Sequence, residues 1–261
     1  MQKRTGGEIY IGVVGPVRTG KSTFIKRFMD VAVLPYMEDA AQKTRAQDEL
    51  PQSAGGRTIT TTEPKFIPQE AVELKLAGEV TIRVRLVDCV GFMVEGAAGH
   101  LEDGAERLVK TPWYDHEIPF TQAAELGTRK VITDHSTIGV VVTTDGSFSD
   151  LPQETYLDAE NQAISELKKL HKPFLVLVNS SHPSSRTARE AAERIEKQHS
   201  VAAMPVNCAQ LSEEDIRQIM EQILYEFPVS RVEFYMPKWV EMLSPQHELK
   251  AQILTQIRNW I

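Results

Sequence analysis

The sequence predicts an α/β fold: a mostly parallel sheet with one antiparallel hairpin strand and helices on both faces. Three observations carry that reading. Short apolar runs alternate with helical patterns along most of the 261 residues. "AVELKLAGEVTIRVRLVDCVG" (71–91) alternates apolar and polar residues on both sides of "AGE", which is a hairpin pattern. "GPVRTGKST" (15–23) joins an apolar run to a helical one through glycines at 15 and 20.

Taken in order, "IYIGVVG" (9–15) is a buried strand ending on glycine, and "KSTFIKRFMDVAVL" (21–34) a helix with Phe24, Phe28 and Val31 on one face. The polar stretch 35–64 lacks strong periodicity and is too long for an ordinary connection, so it reads as a functional loop. The second hairpin strand then runs inward to Asp88. Residues 92–137, rich in glycine, charge and aromatics, read as an insertion. There follow a strand at 138–145, a helix at 154–170, a strand at 173–179, a helix at 185–198 and a strand at 203–208. "SEEDIRQIMEQILYEF" (212–227) is a helix that Ser212 can cap, with Asp215 at the third position. Its apolar face is Ile216, Met220, Ile223 and Phe227.

After Pro228 the pattern changes. "SRVEFYMP" reads as an extra strand and 247–261 as an amphipathic helix aligning Leu249, Ile253, Ile257 and Ile261. A boundary near 228 therefore separates a domain at 1–227 from the start of a following region at 228–261. That last helical pattern runs to Trp260 and Ile261 without a glycine cap, proline stop or polar tail. It reads as the end of an N-terminal fragment whose final helix has lost part of its packing partner.

Composition narrows the function. A net charge of −7 argues against broad nucleic-acid binding. No apolar run approaches the roughly 18 to 20 residues of a transmembrane segment. "MQKRTGGEIY" has no signal-peptide core. Cys89 and Cys208 supply no disulfide framework and no zinc spacing, so a reducing, cytoplasmic setting is expected.

The chemistry lies in "GPVRTGKST". A strand, then G-x-x-x-x-G-K-S, then a helix is the phosphate-loop pattern in its required context. Glycines permit turns that aim successive amides at phosphate oxygens, reinforced by the helix N-terminus. Gly15, Pro16, Val17, Arg18, Thr19, Gly20, Lys21, Ser22 and Thr23 form the expected nucleotide-binding loop. Lys21 brings charge to the terminal phosphates and the Ser22 hydroxyl can ligate Mg²⁺. Arg18 could reach the phosphates but reads rather as a solvated loop arginine, and Thr23 reads as a helix residue rather than a ligand. "LVDCVG" supplies D-x-x-G: Asp88 would hold Mg²⁺ through water, and the Gly91 amide would sense the γ-phosphate. Cys89 alternates away as a small core residue. In "TITTTEP", Thr58, Thr60, Thr61 and Thr62 are candidates for closing over metal and phosphate, or simply a β-branched strand.

These motifs, in this order, match P-loop NTPases of the translation-factor GTPase (TRAFAC-like) type. That class reads guanine with N-K-x-D after the strand at 173–179. Here the residues are Asn179, Ser180, Ser181 and His182. Without the carboxylate reader, guanine selectivity is lost and ATP becomes the expected nucleotide. Asn179 is left to contact the base or brace the loop, and Cys208 with Ala209 falls where the class has its last base-contacting loop. Phe92 stands where many such enzymes place a water-orienting glutamine, so turnover should be slow.

"RTGGEIYIGVVGPVRTGKSTFIKRFM", "RAQDELPQSAGGRTITTTEPKFIP", "RLVDCVGF" and "TPWYDHEIPFTQAAELGTRKVITDHSTIGVVVTTDG" together closely resemble the stage IV sporulation protein A family. These are the spore coat morphogenetic ATPases of endospore-forming bacteria. "RAQDELPQSA" and "AAELGTRKVI" are far more specific than a phosphate loop. The resemblance implies ATP with Mg²⁺, and hydrolysis that drives self-assembly into a polymer on the outer forespore membrane, on its mother-cell side. It also implies recruitment of coat proteins and a small membrane-surface recruiting protein. By it Lys21, Asp88, Thr61 and Thr62 are the catalytic residues, the two threonines sensing the γ-phosphate. Family members continue beyond residue 261 into regions that serve membrane recruitment and coat contacts.

Overall fold

The structure is a computed structural model that describes residues 8–51, 63–75, 81–97, 101–102, 105–149, 151–227, 234–244 and 246–260. The chain divides into two compact units, Met1–Phe227 and Pro228–Ile261.

In the first unit, β1 (Glu8–Val14), β2 (Lys65–Lys75), β3 (Thr81–Asp88), β8 (Ile138–Thr144), β9 (Phe174–Asn179) and β10 (Ala203–Val206) form one sheet in the order β10-β9-β8-β1-β3-β2. All neighbours run parallel except β2, which pairs antiparallel with β3, Lys65 opposite Asp88. Every residue of β8 and β9 is buried, as continuous apolar runs demand when helices cover both faces. Alternation then sorts the side chains. Ile138, Val140 and Val142 join Leu175 and Leu177 on one face, while Val141 joins Val176 and Val178 on the other.

Helix α1 (Lys21–Phe28) and helix α6 (Glu213–Tyr225) pack on the first face through Phe24, Phe28, Ile216, Ile219 and Ile223. Ser212 caps α6 in a reciprocal box with Asp215. The second face carries α4 (Leu157–Lys169) and α5 (Arg186–His199) through Ile164, Leu167, Ala192 and Ile195.

Several elements differ from the sequence reading. Helix α1 passes into a π-helical turn, Met29–Val33, which buries Met29, Ala32 and Val33 and leaves Val31 half-buried. Part of the stretch read as loop is α2 (Ala40–Asp48), capped by the Asp39 carboxylate, which accepts from the Ala41 and Gln42 amides. Only Ala46 of α2 is buried, so no apolar stripe betrays it. Residues 92–137, read as an insertion, carry regular structure of their own. Two small hairpins, β4 (Leu101–Glu102) with β5 (Ala105–Glu106) and β6 (Leu108–Thr111) with β7 (Tyr114–Pro119), precede α3 (Phe120–Lys130). A second π-helical turn, Val131–His135, extends α3 and buries Val131 and Ile132 on the second face.

In the second unit, α7 (Lys238–Glu241) precedes α8 (Glu248–Trp260), and the Lys250 ammonium donates to the Glu241 and Leu243 carbonyls. The strand expected at "SRVEFYMP" does not form over Phe234–Pro237, which have no regular structure, and its earlier residues lie outside those described. Ile253 and Ile257 are half-buried, Leu249 is exposed, and Ile261 is outside the described residues. Among the described residues, no helix is long and apolar enough to cross a membrane.

Candidate nucleotide site

The carboxyl ends of β1, β3, β8 and β9 converge on residues 15–22. β1 ends at Val14 and α1 begins at Lys21, so the intervening loop presents its amides at a helix N-terminus. Gly20 caps α1 at φ +98°, and a Cβ there would stand 2.3 Å from the Asn179 Nδ2. Only glycine fits both the turn and the neighbour.

Buried polar contacts hold the loop in shape. The Thr19 hydroxyl donates to Val142 O on β8 at 2.6 Å, with Pro16 O 3.0 Å away. The Asn179 amide donates to Thr19 O at 2.9 Å and accepts from the Cys208 amide at 3.0 Å. Pro16 and Val17 are buried, Arg18 is half-buried at φ +62°, and Thr23 is exposed.

Lys21 is 4% exposed and its ammonium donates to Pro16 O at 2.5 Å. Burial pulls its pKa down, against the pull of nearby Asp88. The Ser22 hydroxyl donates to Asp88 Oδ2 at 3.0 Å, and the Cys89 amide to Asp88 Oδ1. Burial pushes the Asp88 carboxyl pKa up, opposed by Lys21 and Ser22. A hydroxyl and a carboxylate side by side are the hard oxygen donors that Mg²⁺ takes, so these residues fit that ion.

Gly91 and Phe92 lie across the loop. The Phe92 amide donates to Gly15 O at 3.0 Å and Phe92 O accepts from the Val17 amide at 2.9 Å. The Phe92 ring is 1% exposed and packs in the core with Val14 and Val17, so it does not face a phosphate. The Gly91 amide donates to the Thr128 hydroxyl on α3. Cys89 is buried, its thiol pushed up to about 11.

On the base side, Ser180 is buried, Ser181 half-buried and His182 exposed. The Ser180 hydroxyl accepts from the His182 amide, and the Ser147 hydroxyl from the Ser181 amide. A cavity of about 520 Å³ opens there, lined by Asp145, Ser147, Glu154, Ser180, His182 and Thr187 among others. Cys208 is buried with its thiol pushed up to about 12. Ala209 is exposed and its amide donates to Asn207.

The fold thus brings Gly15 to Ser22 together with Asp88, Gly91, Asn179 and Cys208. Thr58, Thr60, Thr61 and Thr62 lie outside the described residues. Thr128 escaped the sequence reading, because a threonine inside "AAELGTRKVI" carries no local sign of a partner at residue 91.

A family model described as stage IV sporulation protein A, ATPase domain, matches residues 1–228. Three curated relatives, all named stage IV sporulation protein A, are similar to the chain. That of Clostridioides difficile (strain 630) is 48% identical over 261 residues, which are 100% of this chain and 53% of the relative. Those of Bacillus anthracis and Bacillus subtilis (strain 168) are 46% and 44% identical over 259 residues, 99% of this chain and 53% of each relative. The chain therefore spans about half the length of these relatives. Among solved structures, the crystal structure of the SsGBP and GDP complex is similar with a TM-score of 0.48 and 12% identity, over 87% of this chain and 52% of that one.

Proposed function

The chain belongs to the stage IV sporulation protein A family, and from that premise we propose that residues 1–227 bind ATP with Mg²⁺ and hydrolyse it slowly. Hydrolysis drives self-assembly into a scaffold for the spore coat on the forespore surface. Coat proteins and a small membrane-surface recruiting protein are the further partners, met from the mother-cell cytoplasm by a peripheral protein. Residues 228–261 begin the region that follows. The observation that carries the reading is the Ser22–Asp88 hydrogen bond beside the Lys21 ammonium, at the junction of a strand, a glycine turn and a helix.

In this reading the amides of residues 15–22 cradle the phosphates, and Lys21 supplies the charge its burial has kept out of water. Ser22 would hold the metal directly and Asp88 through water, and the ion would neutralise charge developing on the phosphates. Thr61 and Thr62 close over the γ-phosphate. His182 stands where guanine reading needs a carboxylate, so ATP is preferred over GTP. Asn179 and Cys208 support the loop from below, and Ala209 borders the base.

One observation favours a second reading, a nucleotide-binding structural module without turnover: the Phe92 ring is withdrawn into the core, leaving that position unable to orient water. Phosphate release from ATP and from GTP, measured across protein concentrations, separates the two. The ATPase reading expects release from ATP above GTP, rising per subunit as the protein assembles. No release from either nucleotide at any concentration would leave the structural module.

A further inference from the structure

An N–H donates one full-strength hydrogen bond, and the Gly91 amide has already given its own away. It donates to the Thr128 hydroxyl at 3.0 Å, and that hydroxyl donates onward to Ala124 O at 2.8 Å. Thr128 is fully buried. Resting on the ATP reading of residues 15–23, we propose that Thr128 is a positioning residue: its hydroxyl holds the Gly91 amide until the terminal phosphate of ATP takes that amide over.

Gly91 sits against the Lys21 ammonium, since a Cβ on it would fall 2.5 Å from Nζ and 2.4 Å from Gly15 O. Phe92 beside it is tied to the loop by two backbone bonds. A phosphate that pairs with Lys21 therefore meets Gly91 at once. Exchanging the Thr128 oxygen for a phosphate oxygen costs the amide no bond, and the charged acceptor is the stronger one. The loop, not the helix, is the part that moves. Lys172 donates to the carbonyls of Ile132, Thr133 and Ser136, at 2.5, 2.9 and 2.6 Å, and anchors the far end of α3. Gly91, at φ +104°, has the backbone freedom to turn.

The test compares a non-hydrolysable ATP analogue with ADP by titration calorimetry on the 261-residue chain. Thr128→Val keeps the shape and removes the competing acceptor, so the preference for the ATP analogue over ADP should rise about fivefold. Thr128→Ser should restore the wild-type ratio. An unchanged or lower ratio in the valine variant, or serine behaving like valine, would overturn the proposal. If Thr128→Val does not fold, the Gly91 amide resonance of glycine-labelled wild type decides. It should stay at its free position with ADP and move with the analogue; equal behaviour with both would overturn the holding role. A wild type that binds neither nucleotide would bring down the reading of residues 15–23 first.

Discussion

Two sides of one sheet end invite comparison: the phosphate side at residues 15–22 and 88–92, and the base side at 179–182 and 207–209. On the phosphate side nearly every polar group answers to another. Lys21 reaches Pro16, Ser22 reaches Asp88, and Phe92 zips to Gly15 and Val17. On the base side, Asn179 reaches across to the phosphate loop. Ser180, Ser181 and His182 bond among themselves and to Ser147, Val206 and Asn207, beside an open cavity. Holding a phosphate needs the same amides, ammonium and metal donors whatever base is attached. Reading a base needs particular edges, so that side can change while the other stays.

The sharpest way to break this contrast is Lys21→Ala. Losing a buried charge that faces phosphate should weaken ATP binding roughly 30- to 100-fold, read by calorimetry. Unchanged affinity would sink the assignment of the phosphate side. The free protein supplies a control with a definite sign. Burial lowers the Lys21 pKa below its ordinary 10.5, so as pH rises through that window the unfolded chain holds the proton longer and the fold gains stability. The melting temperature of wild type relative to Lys21→Met should therefore climb toward pH 10.5.

Asp88→Asn comes next. Magnesium-dependent hydrolysis should fall by roughly a hundredfold, because the neutral amide is a poor partner for the metal. Stability without nucleotide should hold or rise, since burial already disfavours the ionised carboxylate. A variant that melts well below wild type would favour a strand-end cap over a place beside the metal.

Legibility in the sequence follows the same divide. β1, β8 and β9 announce themselves because a strand buried on both faces is a continuous apolar run, β3 by its alternation of apolar residues with Arg83 and Arg85, and the capping box of α6 is spelled out by Ser212 and Asp215. The phosphate side is legible because its chemistry is local, with Gly15, Gly20, Lys21 and Ser22 in one short span. α2 was hidden because an exposed helix has no apolar stripe, its start resting on one Asp39 carboxylate. α3 is hard to read because it carries Gly127 and the charged Glu125, Arg129 and Lys130 within a stretch already rich in glycine and charge. Thr128 is a tertiary fact, 37 residues from Gly91. The π-helical turns at Met29–Val33 and Val131–His135 shift a helix face by one residue, which an ideal helical period cannot register.

A double variant, Thr61→Ala with Thr62→Ala, probes the phosphate side where only the family resemblance speaks. It should bind ATP with wild-type affinity and release phosphate at least about tenfold more slowly, by the loss of groups that act only when the γ-phosphate is clasped. Wild-type turnover would mean that "TITTTEP" is a strand and nothing more.

The smallest effect is the most telling about the boundary between the two sides. Asn179 is the residue the base side shares with guanine readers, yet its amide is spent on Thr19 O and the Cys208 amide, both buried. If its work is to brace the loop, Asn179→Ala leaves a buried acceptor and a buried donor unmet, at a cost of about 2 kcal/mol. In a domain of this size that lowers the melting temperature by roughly 4–8 °C. Affinity for ATP, ADP and GTP should then fall by one common factor, because a slackened loop is felt by every phosphate chain and by no base in particular. A loss confined to ATP, with the melting temperature unmoved, would instead put Asn179 on the adenine and dissolve the division between a braced phosphate side and a base side that reads the nucleotide.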